Sequence, residues 1–220
     1  WLVLLFHYCS NEKESQSKLI QKIKVTNSKF DFDLIVIGAG YGGFDAAKHA
    51  AENGLKVAIV ESGDMGGTCV NKGCVPSKAL LAASGKVREI ANYEHLEKFG
   101  IHTSPVRFER SKISEHANNL VLNIRENVTK TLTRIGVKII RGHGRIESHQ
   151  KVGVRNKNGV DQIFSCKNII IATGSSPFVP RGITIDNRTV FTSDEAVKLE
   201  WLPRWIAIIG SGYIGLEFAD

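Results

Sequence analysis

Two cysteines and two lysines stand within one turn-rich stretch, Gly66-Gly67-Thr68-Cys69-Val70-Asn71-Lys72-Gly73-Cys74-Val75-Pro76-Ser77-Lys78. A disulfide needs its Cα atoms about 4.4–6.8 Å apart, whereas five steps of regular helix rise about 7.5 Å. Cys69 and Cys74 can therefore pair only across a distorted first turn, a distortion that Gly73 permits. Closing so short a loop contributes roughly 2 kcal/mol, which makes a weak staple but a workable redox couple. Pro76 is tolerated near a helix start, where its missing N–H is not needed. The cysteines are thus expected at a helix N-terminus, whose dipole favours thiolates. The same spacing also suits two unpaired, buried cysteines. Zinc is disfavoured, because no second Cys or His pair stands at ligand spacing.

The element expected to position this stretch lies just before it. Phe32–Ile37 reads as a continuous apolar strand, followed by Gly38-Ala39-Gly40-Tyr41-Gly42-Gly43 and an Ala-rich helix closed by Asn53-Gly54. A second buried strand, Lys56–Val60, ends in Glu61. Strand, glycine turn, helix and a following acid together form a dinucleotide fingerprint. Gly38 makes the tight turn, Gly40 lets backbone N–H groups approach a pyrophosphate, and Gly43 lets helix and strand pack closely. Glu61 is placed to accept a hydrogen bond from a ribose hydroxyl; the alternative is a solvated acid at a strand end. A dinucleotide site followed at once by a dithiol implies a flavin passing electrons to a disulfide.

Downstream, apolar residues from Ile113 to Leu132 recur at three- and four-residue steps, predicting a long helix over about 107–135 with Gly136 as its cap. His116 on it is read as a surface or packing residue. Val137–Ile140 reads as a strand. Lys151–Arg155 and Gln162–Cys166 flank the hairpin signal Asn158-Gly159, and Cys166 is read as structural. A separate strand, Ile169–Ala172, runs into Thr173-Gly174-Ser175. Pro177 and Pro180 lead out as a linker, and Ser193 or Asp194 is expected to cap a short helix through Leu199. Trp205–Ile209 reads as another buried strand before a second fingerprint, Gly210-Ser211-Gly212-Tyr213-Ile214-Gly215.

The chain has 220 residues, room for one or two domains. Its formal charge is +7, of which five lysines against two glutamates before Phe30 supply +3. The rest is dispersed without an aromatic-interleaved basic patch, which argues against nucleic acid. No apolar run approaches the ~18 residues of a membrane span. Two of the four cysteines, Cys9 and Cys166, are isolated, so no secreted disulfide framework is present. Trp1–Cys9 is a short apolar run and Ser10–Lys29 is rich in Ser, Lys and Asn, a weak match to a targeting segment.

On Gly66–Lys78 and the two glycine turns, residues from about Asp31 to Asp220 closely resemble the FAD-dependent pyridine-nucleotide disulfide oxidoreductases. The resemblance implies an α/β, Rossmann-like three-layer fold that binds FAD and NAD(P). Its layout would be a tail or targeting segment over 1–30, a FAD-binding domain with the redox disulfide over 31–185, and the incomplete start of an NAD(P) domain over 186–220. It makes Cys69 the interchange thiol that attacks the substrate disulfide as thiolate, and Cys74 the charge-transfer thiol against the flavin. Lys78 matches a lysine near the flavin N5, paired in the family with a glutamate that is Glu217 here. Gly67, Thr68, Gly144, Thr173 and Gly174 match cofactor-contacting positions, Gly144 through its backbone at the adenine.

Pro76-Ser77-Lys78 is similar to the branches that oxidise dihydrolipoamide or reduce mercury; the glutathione-reducing branch usually has another lysine for Ser77. Asn71-Lys72-Gly73, His116–Leu120 and Ile206–Glu217 look most like a plastid and cyanobacterial branch. Its members oxidise dihydrolipoamide on the acyltransferase of plastid pyruvate dehydrogenase, with NAD as acceptor and a homodimer as the working form. The alternative in another class is a chain that binds nucleotide without redox cycling. Starting at Trp1 and stopping just past the second fingerprint, the chain reads as a fragment. It lacks the remaining nucleotide domain, the dimerisation domain and the His-Glu acid-base pair, so it is expected not to turn over alone, an expectation that measurable lipoamide reduction would overturn.

Overall fold

Apolar runs bounded by glycine turns build the centre of the molecule. The structure is a computed structural model, and residues 29–220 are described. The tail reading therefore falls almost wholly, and Cys9 wholly, outside the described residues. Strand β1 (Phe32–Ile37) leads through the first glycine turn to helix α1 (Tyr41–Glu52), then β2 (Val57–Glu61). Two helices follow at the cysteines, α2 (Gly67–Asn71) and α3 (Cys74–Ala91), then the short α4 (Tyr93–Glu97) and the long α5 (Arg110–Arg134). Strands β3 (Lys138–Arg141), β4 (His143–Ser148), β5 (Lys151–Arg155) and β6 (Asp161–Ile171) complete the sheet. Helices α6 (Ser193–Ala196) and α7 (Tyr213–Ala219) close the chain.

The strand order is β3-β2-β1-β6-β5-β4. β3, β2, β1 and β6 run parallel, while β6, β5 and β4 form an antiparallel meander. The hairpin over Asn158-Gly159 forms as predicted, with Asn156 Oδ1 accepting from the N–H groups of Asn158 and Val160. The two expected strands after it are one. Residues 161–165 of β6 pair with β5, and residues from Cys166 to Ile171 pair with β1. A single continuous strand thus stitches the meander to the nucleotide sheet, and β4, in which the sequence marked only Gly144, is its outer strand.

Period-two alternation along β1 splits the core. Leu34 and Val36 join Val57, Ile59, Ala47, Val128 and Leu132 beneath α1 and α5. Ile35 and Ile37 join Ala58, Val60, Val152, Val154 and Cys166 on the opposite face. The meander therefore folds over one face of the parallel sheet and helices cover the other, giving three layers. Cys166 is fully buried in this second core, as a structural residue should be.

The sequence misplaced two elements. Thr192, and neither Ser193 nor Asp194, caps α6, through a capping box with Glu195, and the helix stops at Ala196. Trp205–Ile209 is not a strand; Trp205 is 81% and Ile209 74% exposed. An apolar run becomes a parallel strand only against a neighbour, and among the described residues none lies beside it. No helix among the described residues is long and apolar enough to cross a membrane.

Candidate nucleotide and dithiol site

The first glycine turn is shaped by close backbone approaches. Gly38 has φ +104°, and a Cβ there would lie 2.2 Å from the Ala172 carbonyl oxygen. A Cβ on Gly43 would lie 1.9 Å from the Gly38 oxygen. Ala172 donates its N–H to the Ile37 oxygen at 2.8 Å, so the Thr173-Gly174 segment passes directly over Gly38. Gly40 caps α1 without a side-chain hydrogen bond, which leaves the first-turn N–H groups without a side-chain acceptor. Glycines at every point of closest approach and an uncapped helix N-terminus fit the pyrophosphate of a dinucleotide.

Glu61 does more than the ribose role read from sequence. Its Oε2 accepts the Ala39 N–H and its Oε1 the Gly63 N–H, both at 2.7 Å. The carboxylate thus braces the turn from the end of β2. Gly144 sits in β4, where a Cβ would press on Ile37 and Val60 at 3.0 and 3.1 Å. Packing against these two side chains accounts for glycine there.

The dithiol segment is joined to this turn directly. The Gly66 N–H donates to the Ala39 oxygen at 2.8 Å, and Gly40 and Gly66 form a parallel bridge. A Cβ on Gly67 would lie 2.6 Å from the Gly40 Cα, so the two loops touch backbone to backbone. Thr68 is exposed in α2 on the same segment.

The cysteines do not share a first turn. Cys69 lies within five-residue α2 and Cys74 opens α3, with Gly73 (φ −133°, ψ −112°) at the break between them. Both are thiols here, Cys74 exposed and Cys69 half-buried. Burial pushes the Cys69 thiol up to about 11, helped by its hydrogen bond with Cys74 and opposed by the Lys78 charge. Cys69 lies in the first turn of a short helix of its own, and there burial opposes the thiolate that a helix N-terminus was expected to favour. Alkylation of Cys69 in the reduced chain, followed by peptide mass spectrometry, is expected to rise about tenfold per pH unit from 7 to 10. A rate that levels off between about pH 9 and 10 would show an unshifted thiol.

Lys78, one turn into α3, pairs with Glu217 of α7 at 2.5 Å, and this carboxylate raises the lysine's pKa. The second glycine turn repeats the first. Gly210 has φ +115°, a Cβ on Gly215 would lie 2.3 Å from the Gly210 oxygen, and Gly212 caps α7 at φ −71°, ψ 169°, against φ −70°, ψ −179° at Gly40. Only the neighbour differs, since nothing lies within 4 Å of a Cβ on Gly210.

Several contacts at the site are between residues far apart in the chain. Asn71 donates to the Met65 and Gly67 oxygens at 3.1 and 2.8 Å and accepts from Arg125 of α5, which also pairs with Asp64 at 2.9 Å. Lys72 pairs with Asp194 of α6 at 3.0 Å. Long-range partners of this kind leave no trace in local spacing. No group of three or more potential metal ligands occurs among the described residues.

Two glycine turns of the same shape stand in series, and the first is joined backbone to backbone to the two-cysteine segment. The chain belongs to the pyridine nucleotide-disulphide oxidoreductases, whose family model matches residues 32–220. Members of this family are flavoproteins that use FAD and NAD(P). The chain is similar to the dihydrolipoyl dehydrogenase of Synechocystis sp., 59% identical over 191 residues, covering 87% of this chain and 40% of that protein. The chloroplastic dihydrolipoyl dehydrogenase 2 of Arabidopsis thaliana is 55% identical over 194 residues, covering 88% of this chain and 33% of that protein. The dihydrolipoyl dehydrogenase of Bacillus subtilis is 36% identical over 198 residues, covering 86% and 41%. The chain thus spans 33% to 41% of the length of these relatives.

Proposed function

We propose that the chain is the FAD-binding and dithiol-bearing part of an enzyme that oxidises protein-bound dihydrolipoamide with NAD as acceptor. Its place would be the E3 component of a plastid 2-oxoacid dehydrogenase complex, as a homodimer. The observation that carries this is the backbone contact between Gly40 and Gly66-Gly67, which ties the nucleotide turn to the Cys69–Cys74 segment. The relatives named dihydrolipoyl dehydrogenase support the substrate, and the chloroplastic one supports the compartment.

In this reading, residues 31–185 form the FAD domain and 186–220 begin the NAD domain. Gly38, Gly40 and Gly43 hold the FAD pyrophosphate against α1, Glu61 braces the turn and faces the ribose, and Gly67, Thr68, Gly144, Thr173 and Gly174 line the rest. Gly210, Gly212 and Gly215 offer the NAD pyrophosphate an equivalent turn. A thiolate of dihydrolipoamide attacks the Cys69 sulfur of the Cys69–Cys74 disulfide, and Cys74 leaves as thiolate. The second lipoyl thiol then displaces Cys69, which recovers a proton, and the substrate departs as a cyclic disulfide. FAD held at Gly38, Gly40 and Gly43 would supply the redox chemistry that links the dithiol to NAD. Lys78, fixed by Glu217, keeps a cation where negative charge develops.

The test is the visible spectrum of the FAD-loaded chain before and after anaerobic dihydrolipoamide. New long-wavelength absorbance is expected, together with loss of the Cys69–Cys74 disulfide. A chain that retains FAD but is spectrally unchanged by the dithiol overturns the redox reading, and one that takes up no FAD overturns the cofactor assignment.

A further inference from the structure

The break between α2 and α3 consists of Lys72 (φ −145°, ψ 5°) and Gly73, and its shape decides how Cys69 approaches Cys74. One side of this joint is anchored on α5, through Asn71 and Arg125. The other is anchored on α6, where Lys72 Nζ lies 3.0 Å from Asp194 Oδ2, across 122 residues of sequence. The Asp194 side chain is only 16% exposed, and its helical turn is held independently of Lys72. Thr192 Oγ1 accepts the Asp194 N–H at 3.2 Å and donates to Glu195 Oε2 at 2.7 Å, and the Leu199 oxygen accepts from Arg110 of α5. The anchor is therefore in place whether or not Lys72 reaches it. Among the lysines, the charge that lowers the Cys69 pKa comes from Lys78 and not Lys72. Lys72 thus acts on the thiols through geometry rather than through its field.

We propose that Lys72 and Asp194 are positioning residues that hold the inter-cysteine joint in the shape from which the disulfide closes. Through them the segment that begins the second nucleotide domain is coupled to the dithiol equilibrium. This rests on the reading of Cys69 and Cys74 as a redox pair. Holding the joint raises the effective concentration of one thiol at the other. Releasing it frees the dithiol form and leaves the disulfide less favoured.

The test equilibrates the chain in mixtures of reduced and oxidised dithiothreitol. Oxidised dithiothreitol takes two electrons and two protons from Cys69 and Cys74 and becomes the dithiol as their disulfide forms. Trapping with a maleimide and mass spectrometry of the peptide holding both cysteines gives the equilibrium constant without reference to flavin or to Cys9 and Cys166. Lys72→Met and Asp194→Asn are each expected to shift it about threefold toward the dithiol, the scale of one partly exposed ion pair. The double variant should shift it no further, and Lys72→Arg should stay near wild type. Removing a cation and removing an anion would push a field effect in opposite directions, so a common direction marks position. Shifts below about 1.5-fold, shifts toward the disulfide, opposite shifts in the two single variants, or shifts that add in the double variant overturn the proposal. A wild-type chain with no dithiol–disulfide transition overturns instead the redox reading beneath it.

Discussion

Gly43→Ala is expected to destabilise the fold by about 3 kcal/mol or more, while Gly42→Ala, one residue away, should be neutral or stabilise by about 0.5–1 kcal/mol. The two glycines differ only in what surrounds them. A Cβ on Gly43 would lie 1.9 Å from the Gly38 oxygen, with Ala172 Cβ behind it at 3.3 Å. Neither neighbour can move aside cheaply, because the Gly38 N–H is bonded to the Val60 oxygen at 2.8 Å and Ala172 is bonded to Ile37 at 2.8 Å. The new methyl group must push α1 off the sheet or open the turn, and either movement disturbs the contact with Gly67. At Gly42 nothing lies within 4 Å, so alanine adds helix propensity without a clash. Urea midpoints and FAD retained per chain measure both effects. A Gly43→Ala chain within about 0.5 kcal/mol of wild type would mean that the close packing of turn and helix is not what selects glycine there.

In a full-length enzyme carrying this segment, Cys69→Ser and Cys74→Ser are each expected to lower dithiol–disulfide turnover on the order of a thousandfold or more, because the two sulfurs act as one unit. Their products should differ. With an acyclic disulfide such as oxidised glutathione, whose second half departs as a free thiol, Cys74→Ser is expected to retain a mixed disulfide on Cys69, since no resolving thiol is left, and Cys69→Ser should retain none. The exposures make this a demanding test: Cys74 is the exposed thiol and Cys69 the half-buried one. Accessibility alone would put the adduct on Cys74. Peptide mass spectrometry reads the site, and an adduct on Cys74 in Cys69→Ser, with none on Cys69 in Cys74→Ser, would exchange the two roles.

What could be read from the residues followed how local the signal was. Gly38, Gly40 and Gly43 identify a βα turn because the positive φ of Gly38 and the approach of Gly43 to the Gly38 oxygen are local, although Gly38 and Gly40 also meet Ala172 and Gly67 from distant segments. The second turn shows this well: Gly210, Gly212 and Gly215 adopt the same geometry although the run before them forms no strand. The apolar steps from Ile113 to Leu132 likewise located α5, and Asn158-Gly159 located a hairpin. Trp205–Ile209 was misread because a buried parallel strand and an unpartnered apolar run have the same composition. The separate strands expected at Gln162–Cys166 and Ile169–Ala172 were one, since the change of partner from β5 to β1 happens without a break in the chain.

The dithiol itself shows the same division. Its residues and its nearness to a nucleotide turn were legible before any coordinates, because motif spacing records what each residue does to its close neighbours in the chain, whereas the pairing of Lys78 with Glu217, 139 residues apart, came from the family resemblance alone. The break at Gly73, the burial that raises the Cys69 thiol, Glu61 bracing Ala39 and Gly63, and the anchoring of Lys72 on Asp194 emerged only from the folded chain. Each depends on the dielectric or the partner that distant segments bring to a side chain. Desolvation and pairing across 122 residues are properties of packing, and a linear pattern carries no measure of either.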